Sequence, residues 1–417
     1  MQDTVQDTTV FDERLEEVSE IADPEVDILA EGGLHKIMLF FHLPAAWSDG
    51  ALLLLWLAFA GLAGLLWGLL SGDINSIRAV TLFSGVMLAA DMLLLRSLPR
   101  RGISYGPWQA QFVVLALPQL AATAVIALFA RWFGIQWGIG LLAGIQLIGL
   151  AALIWGTEIE PFRLRLTEFI MFTDRMKPGS PPLRLLHITD LHIERLTARE
   201  EQVVELAQKA KPDLIVITGD FVNLSYNRDP ETHRQVWQLL RRLKAPHGVY
   251  ATLGSPTVDL RETVAPIFDE LPVQLLRQEC VLADVGHGRT LSLIGLDCTH
   301  HIPTDEARLA QLMAQAPNNS PQLLLYHSPE LAPQAVQHGI DLYLCGHTHG
   351  GQVRLPIIGP ILTSSQLGRR FVMGLYHHGR THLYVSRGVG LEGLSAPRVR
   401  FLCPPEITLV TIRPASL

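Results

Sequence analysis

The sequence predicts a two-part chain: an N-terminal region of four transmembrane helices, then a layered α/β domain. Three observations carry that reading. Four long apolar runs fill the first third of the chain, short β-type runs alternate with helical ones from Leu183 onward, and carboxylates and imidazoles recur just past the ends of the expected strands. A chain of 417 residues has room for both parts. The expected divisions are an acidic, partly disordered tail over 1–36, a membrane region over 37–156, a connector over 157–182 and the α/β domain over 183–417.

The tail comes first. Residues 1–32 carry eleven acidic side chains and one basic one, Arg14, so they contribute −10 to a whole-chain charge of −7 and leave the remainder near +3. Such a segment reads as a solvated tail, with docking to a basic partner as the sharper alternative. An acidic start with its first apolar run far inside does not read as a secretory signal. Ile37–Phe41, before Pro44, is too short to span a bilayer and reads as an interfacial segment.

The four apolar runs are about Ala51–Leu70, Ala79–Leu95, Phe112–Ala130 and Ile135–Trp155. Each approaches the ~20 residues a helix needs to cross the hydrocarbon core, and none carries a polar stripe of helical period. Seven of the eight tryptophans lie between Trp47 and Trp155, and six of them, Trp67 included, fall near run ends as an interfacial belt would place them. Arg96, Arg100 and Arg101 follow the second run, against Arg78 alone after the first and Arg131 alone after the third. The positive-inside rule then puts the second loop, both termini and the α/β domain in the cytoplasm, as expected of an integral protein of a bacterial inner or plasma membrane. Asp91 lies within the second run, about a turn from Arg96, where a shallow, hydrated position is expected rather than an ion pathway. Four cysteines without a CxxC pair give no disulfide framework.

In the second part, strands are expected at Leu185–Thr189, Leu214–Thr218, Val249–Leu253, Leu291–Leu296, Gln322–Tyr326 and Ile340–Leu344, with helices over Ala198–Ala210, Glu231–Leu243 and around Asp305–Ala314. This alternation implies much parallel pairing, and ligands of such sheets gather beyond the strands' carboxyl ends. At those ends stand Asp190 and His192, Asp220, His327, and His347 with His349. A mixed nitrogen and oxygen donor set suits Mn²⁺, Fe or Zn²⁺ rather than Ca²⁺. Six ligands make two ions the natural unit, and a pair of ions can clamp a phosphate and generate hydroxide near neutral pH.

Asp190-x-His192, Gly219-Asp220, His327 and Gly346-His347-Thr348-His349-Gly350-Gly351-Gln352 resemble the calcineurin-like metallophosphoesterases. The Gly-Gly-Gln extension and Val385-Ser386-Arg387-Gly388-Val389-Gly390 are similar to a bacterial membrane-associated subgroup. The resemblance covers roughly Leu183 to Ile412 and implies an α-β-β-α sandwich with a dinuclear site. It implies that Asp190, His192, Asp220 and His349 hold one metal and that Asp220, His327 and His347 hold the other, Asp220 bridging. Asp220 and His327 are the residues expected to carry catalysis.

One segment departs from the pattern. Where the family has Gly-Asn-His and an acidic residue, this chain has Gly254-Ser255-Pro256-Thr257. The family's Asn binds the second metal and its His contacts the phosphate, so the second site is expected to be weakened and the general acid to be missing. Elsewhere, His300-His301 follows Asp297 and reads as an exposed loop, with reach to the site as the alternative, His377-His378-Gly379 as a hairpin turn, and Arg354 and Arg387 as candidate phosphate contacts or structural pairs. The expected function is a membrane-anchored, metal-dependent phosphoesterase hydrolysing a phosphodiester or pyrophosphate, with lipid-linked substrates the sensible class. The alternative is a catalytically impaired relative serving as a metal- or ligand-binding sensor or scaffold. The expected partners are the lipid bilayer and a phosphorylated substrate, with no nucleic acid.

Overall fold

A computed structural model describes residues 32–415. The acidic-tail reading therefore lies outside the described residues up to position 31. A short helix α1 (Gly33–His42) contains the expected interfacial segment and turns Ile37, Leu39 and Phe40 outward. Then come α2 (Asp49–Ser71), α3 (Ile77–Ser97), α4 (Trp108–Phe133) and α5 (Ile135–Ile154), coinciding with the four apolar runs. All four are long and apolar enough to cross a membrane. Their exposed side chains include Leu54, Leu69, Leu82 and Ile148. An apolar exterior of this kind suits lipid rather than water.

Two expectations change inside the bundle. Trp67 is fully buried, packed with Val80, Ile126, Ala130 and Leu142, so it is a core residue and not part of an interfacial belt. Asp91 is buried at 4 % exposure and accepts a hydrogen bond from the Gln119 amide of α4, so its carboxylate faces another helix rather than the helix end.

The α/β part opens with β1 (Arg165–Thr173), inside the stretch expected to be an irregular connector, followed by β2 (Leu183–Ile188). Helix α6 (Ala198–Ala210) starts at a capping box formed by Thr197 and Glu200. Next are β3 (Leu214–Thr218), α7 (Pro230–Leu240), β4 (Val249–Thr252), the short α8 (Arg261–Val264) and β5 (Gln274–Leu275). The chain continues through β6 (Glu279–Asp284), β7 (Thr290–Gly295), α9 (Ile302–Met313), β8 (Gln322–Leu325), α10 (Ala332–Gln337) and β9 (Leu342–Cys345). A two-residue pair, β10 (Arg354–Leu355) and β11 (Gly359–Pro360), precedes the hairpin β12 (Gly374–His378) and β13 (Thr381–Val385) and the last strand β14 (Glu406–Pro414).

These strands form two six-stranded sheets, ordered β1-β14-β2-β3-β4-β5 and β12-β13-β9-β8-β7-β6. The central strands β2, β3 and β4 of the first sheet and β7, β8, β9 and β13 of the second run parallel. Side-chain alternation explains the layering. In β3, Leu214 and Val216 face the second sheet while Ile215 and Ile217 face the α6 and α7 side. In β9, Leu342 and Leu344 join the core between the sheets while Tyr343 and Cys345 join the cluster beneath α9 and α10. Both faces being covered, the runs read as continuously apolar. The result is an α-β-β-α sandwich whose parallel strands end along one edge.

That edge meets the helical region. Glu194 Oε1 pairs with Arg398 Nε at 2.8 Å, and its Oε2 accepts the Tyr105 N–H at 2.9 Å from the loop between α3 and α4. The Arg398 N–H donates to Gln111 Oε1 of α4 (3.1 Å), and Ser395 Oγ donates to the Met38 carbonyl of α1 (2.8 Å).

Candidate metal centre

Every expected site residue stands on a turn beyond a strand's carboxyl end: Asp190 and His192 after β2, Asp220 after β3, His327 after β8, and His347 and His349 after β9. The turns are laced together by backbone. Asp190 N–H donates to the Gly219 carbonyl, His192 N–H to the Asp220 carbonyl, and Gly346 N–H to the His327 carbonyl. Five of these six residues have positive φ: Asp190 (50°), His192 (42°), Asp220 (53°), His347 (69°) and His349 (50°). Side chains rarely adopt that region, and clusters of such strain gather where geometry serves function.

The structure brings all six side chains together, buried, in two groups. One ligand atom each from Asp190, His192 and His349 lie within 4.8 Å of one another, and so do those of Asp220, His327 and His347. Asp220 Oδ2 reaches both groups, 3.1 Å from His327 Nε2 and 3.4 Å from His192 Nε2. His192 Nε2 and His349 Nε2 approach to 3.0 Å. His327 Nδ1 lies 2.8 Å from the Thr218 carbonyl, which fixes Nδ1 as the protonated nitrogen and turns the other toward the cluster.

Several atoms here have no hydrogen-bond partner, among them Asp190 Oδ2, His192 Nδ1 and His349 Nδ1. Buried polar atoms left unsatisfied are costly, and their convergence with carboxylate and imidazole donors fits divalent metal ions. For two of the imidazoles the electrostatics agree. Burial, reinforced by His300 and His327, lowers the His347 pKa to about 3, and burial with His192 and Arg400 lowers that of His349 further below the usual range. Both imidazoles are thus neutral, as ligands must be. Burial works against charge on His327, but the Asp220 and Asp190 carboxylates outweigh it and raise its pKa to about 10.

Gly254 lies against Asp220: a Cβ there would stand 2.1 Å from Asp220 Oδ1, so no side chain fits. The next residue, Ser255, donates its N–H to the same oxygen at 2.8 Å. The departing segment thus still packs on the site, but Pro256 offers no proton. Asp259, which the sequence reading passed over, accepts the N–H groups of Asp220, Phe221 and Gly254 at 2.8, 2.9 and 2.8 Å. Burial and the neighbouring Asp220 push its carboxyl up to about 6.

The His300 expectation is overturned. It is 1 % exposed, at φ 60°, with its ring 4.6 Å from that of His347. His301, at the start of α9, bonds Thr304 Oγ1 (2.7 Å). Arg387 pairs with Glu406, and Arg354 donates to the Gly350 carbonyl, so both take the structural alternative. A cleft of about 320 Å³ opens beside the centre, lined by Asp220, Ser255 and His347 on one side and by Gly33, His35 and Met38 of α1 on another.

Comparison with known proteins agrees with this geometry. Residues 183–351 match the family model described as calcineurin-like phosphoesterase. The chain is 30% identical over 282 residues to the metallophosphoesterase YkuE of Bacillus subtilis, covering 66% of this chain and 94% of that protein. It is 28% identical over 236 residues to YkoQ of the same organism, covering 55% and 84%. The phosphodiesterase YaeI of Escherichia coli is 28% identical over 247 residues, covering 57% of this chain and 84% of its own length.

Proposed function

Because the chain belongs to the calcineurin-like metallophosphoesterase family, we propose that it is a membrane-anchored phosphoesterase that hydrolyses a phosphodiester or pyrophosphate of a lipid or lipid-linked substrate. The carrying observation is the convergence of six buried donors in two groups around Asp220. In this reading Asp190, His192, Asp220 and His349 hold one divalent ion and Asp220, His327 and His347 the other, and Mn, Fe and Zn all suit the donors. Two such ions supply Lewis acidity at the phosphoryl oxygens and lower the pKa of a coordinated water. The chain's own part is orientation. Thr218 O sets the His327 ring, Asp259 fixes the turn that carries Asp220, and Ser255 N–H holds the Asp220 carboxylate. Pro256 supplies no proton to a leaving group, which favours a leaving group that departs as a stable anion, as in a pyrophosphate.

The lipid assignment rests on α1. The helix that walls the cleft with Met38 turns Ile37 (55 % exposed) and Phe40 (65 %) outward, a surface suited to the bilayer interface. The last turn of α3 with Arg96 and the turn after it with Arg100 and Arg101 lead to the Tyr105–Glu194 contact, on the α/β domain's side of the bundle. This supports the reading that the domain lies on the cytoplasmic side of a bacterial inner membrane. The test is hydrolysis of an aryl phosphodiester by detergent-solubilised protein with added Mn²⁺, beside Asp220→Ala. Activity should fall to the uncatalysed background in the variant, and equal rates in both proteins would refute the assignment.

The Gly254-Ser255-Pro256-Thr257 segment supports a second reading, a catalytically impaired metal-binding sensor or scaffold. Mn²⁺ bound without hydrolysis would favour it.

A further inference from the structure

The second group of donors has three side chains, whereas a divalent ion of this class takes at least four ligands. A buried, unassigned imidazole beside it is that of His300, carried on the loop that follows β7. Its Nδ1 lies 3.0 Å from Glu330 Oε2 and its Nε2 lies 3.1 Å from Ser255 Oγ. Glu330 is fixed in turn, since its Oε1 accepts the Gln366 N–H at 3.0 Å, and Gln366 Nε2 also donates to the His300 carbonyl at 2.6 Å. One ligand atom each from His300, Glu330 and His347 lie within 4.8 Å of one another, so His347 belongs to both this group and that of Asp220 and His327.

We infer that His300 is a ligand of the second metal, with Glu330 as the carboxylate that orients it. The inference rests on the dinuclear reading above. A carboxylate on Nδ1 fixes the tautomer in which Nε2 carries a lone pair, the arrangement by which metal-binding histidines are commonly held. That lone pair points toward Ser255, whose N–H holds Asp220, and the ring lies beside that of His347. His300 also shares the positive φ of five of the six other donors, at 60°. His300 and its carboxylate thus stand where the Gly254-Ser255-Pro256-Thr257 segment leaves the centre short of a donor.

The test measures Mn²⁺ binding to the full-length protein in detergent, by equilibrium dialysis and by the electron paramagnetic resonance signal of coupled Mn²⁺ pairs. The wild type should bind two ions per chain and show the coupled signal. His300→Ala should keep one ion, which also reports that the centre is folded, and should lose the coupling. Exogenous imidazole should restore the second ion. Glu330→Gln should weaken the second ion ~10–100-fold, as loss of a metal-supporting carboxylate does. Two ions bound by His300→Ala with unchanged affinity would overturn the inference, as would fewer than two in the wild type. Loss of both ions in His300→Ala and His300→Gln alike would also overturn it, because His300 is assigned to one site only. Two coupled ions that depend on His300, with no hydrolysis, would instead refute the phosphoesterase reading and leave this one standing.

Discussion

Asp190, His192 and His349 come from two short motifs on the turns past β2 and β9, whereas Asp220, His327 and His347 come from three different turns and lean on Ser255 and Asp259 of a fourth. The first half is backed by main chain. Gly390 N–H donates to the Asp190 carbonyl, His347 N–H donates to Asp190 Oδ1 at 2.9 Å, and a Cβ on Gly388 would stand 2.5 Å from Asp190 Cβ. The second half has main-chain support too, from Ser255 N–H on Asp220 Oδ1 and the Thr218 carbonyl on His327 Nδ1, but it adds a side-chain support, the Asp259 carboxylate that gathers the N–H groups of Asp220, Phe221 and Gly254. The difference is that one removable side chain orders the turn of the second half, whereas none of the contacts named for Asp190 depends on one.

The largest expected effect sharpens this contrast. Replacing Ser255 with Asn and Pro256 with His together supplies a further oxygen ligand and a proton donor to the second half. Turnover of an aryl phosphodiester should rise by ~10²–10⁴-fold, the usual contribution of a general acid. An unchanged kcat would mean that the second half already has both functions. Next in size is Asp259→Ala, which strips three backbone N–H groups of their acceptor at the turn carrying Asp220. Affinity should weaken by ~10–100-fold, more for the second Mn²⁺ than for the first, since Asp220 serves both ions and the first keeps three other donors. Unchanged affinity for both would contradict the role given to Asp259.

A third variant probes the backing of the first half. Glu406 is buried, accepts the Arg387 N–H at 3.0 Å and Thr167 Oγ1 at 2.6 Å, and pairs with the Arg387 guanidinium, while its own N–H bonds the Gly388 carbonyl. Removing one partner of a buried pair costs roughly 3–5 kcal/mol, so Glu406→Gln should lower the thermal denaturation temperature clearly at pH 7. Burial opposes the charge on Glu406, but the Arg387 contacts outweigh it and hold the carboxyl below its usual range. Its stabilisation is therefore present above the unfolded carboxylate pKa and is lost as pH falls through the lowered folded value. The gap between wild type and variant should narrow below a pH of about 4. A gap that widens there would contradict the sign.

Much of this architecture was legible in the residues. The apolar runs are helices because nothing else satisfies such a backbone in lipid, and continuously apolar strands follow from a sheet covered on both faces. The six expected donors could be found because each stands just past a recognisable strand. Strand β1 escaped because its apolar run, Phe169–Phe172, is only four residues long and sits among charges and prolines that read as a connector, although Met171 and Thr173 are buried. Trp67 and Asp91 were misplaced because position along a run does not say which face of a helix meets its neighbours. His300 obeys the strand-end rule that found the others, two positions after Cys298 and beyond β7, but without a motif around it the doubled histidine resembled a surface loop. Asp259 acts only on backbone N–H groups and so left no spacing to read.

The most direct test titrates Mn²⁺ into metal-free, full-length protein and follows bound ion and phosphodiester hydrolysis in the same samples. Hydrolysis should stay at background through the first equivalent and rise with the second, because both halves of the centre must be filled. Full activity at one equivalent, or none at two, would contradict a two-ion phosphoesterase centre built around Asp220.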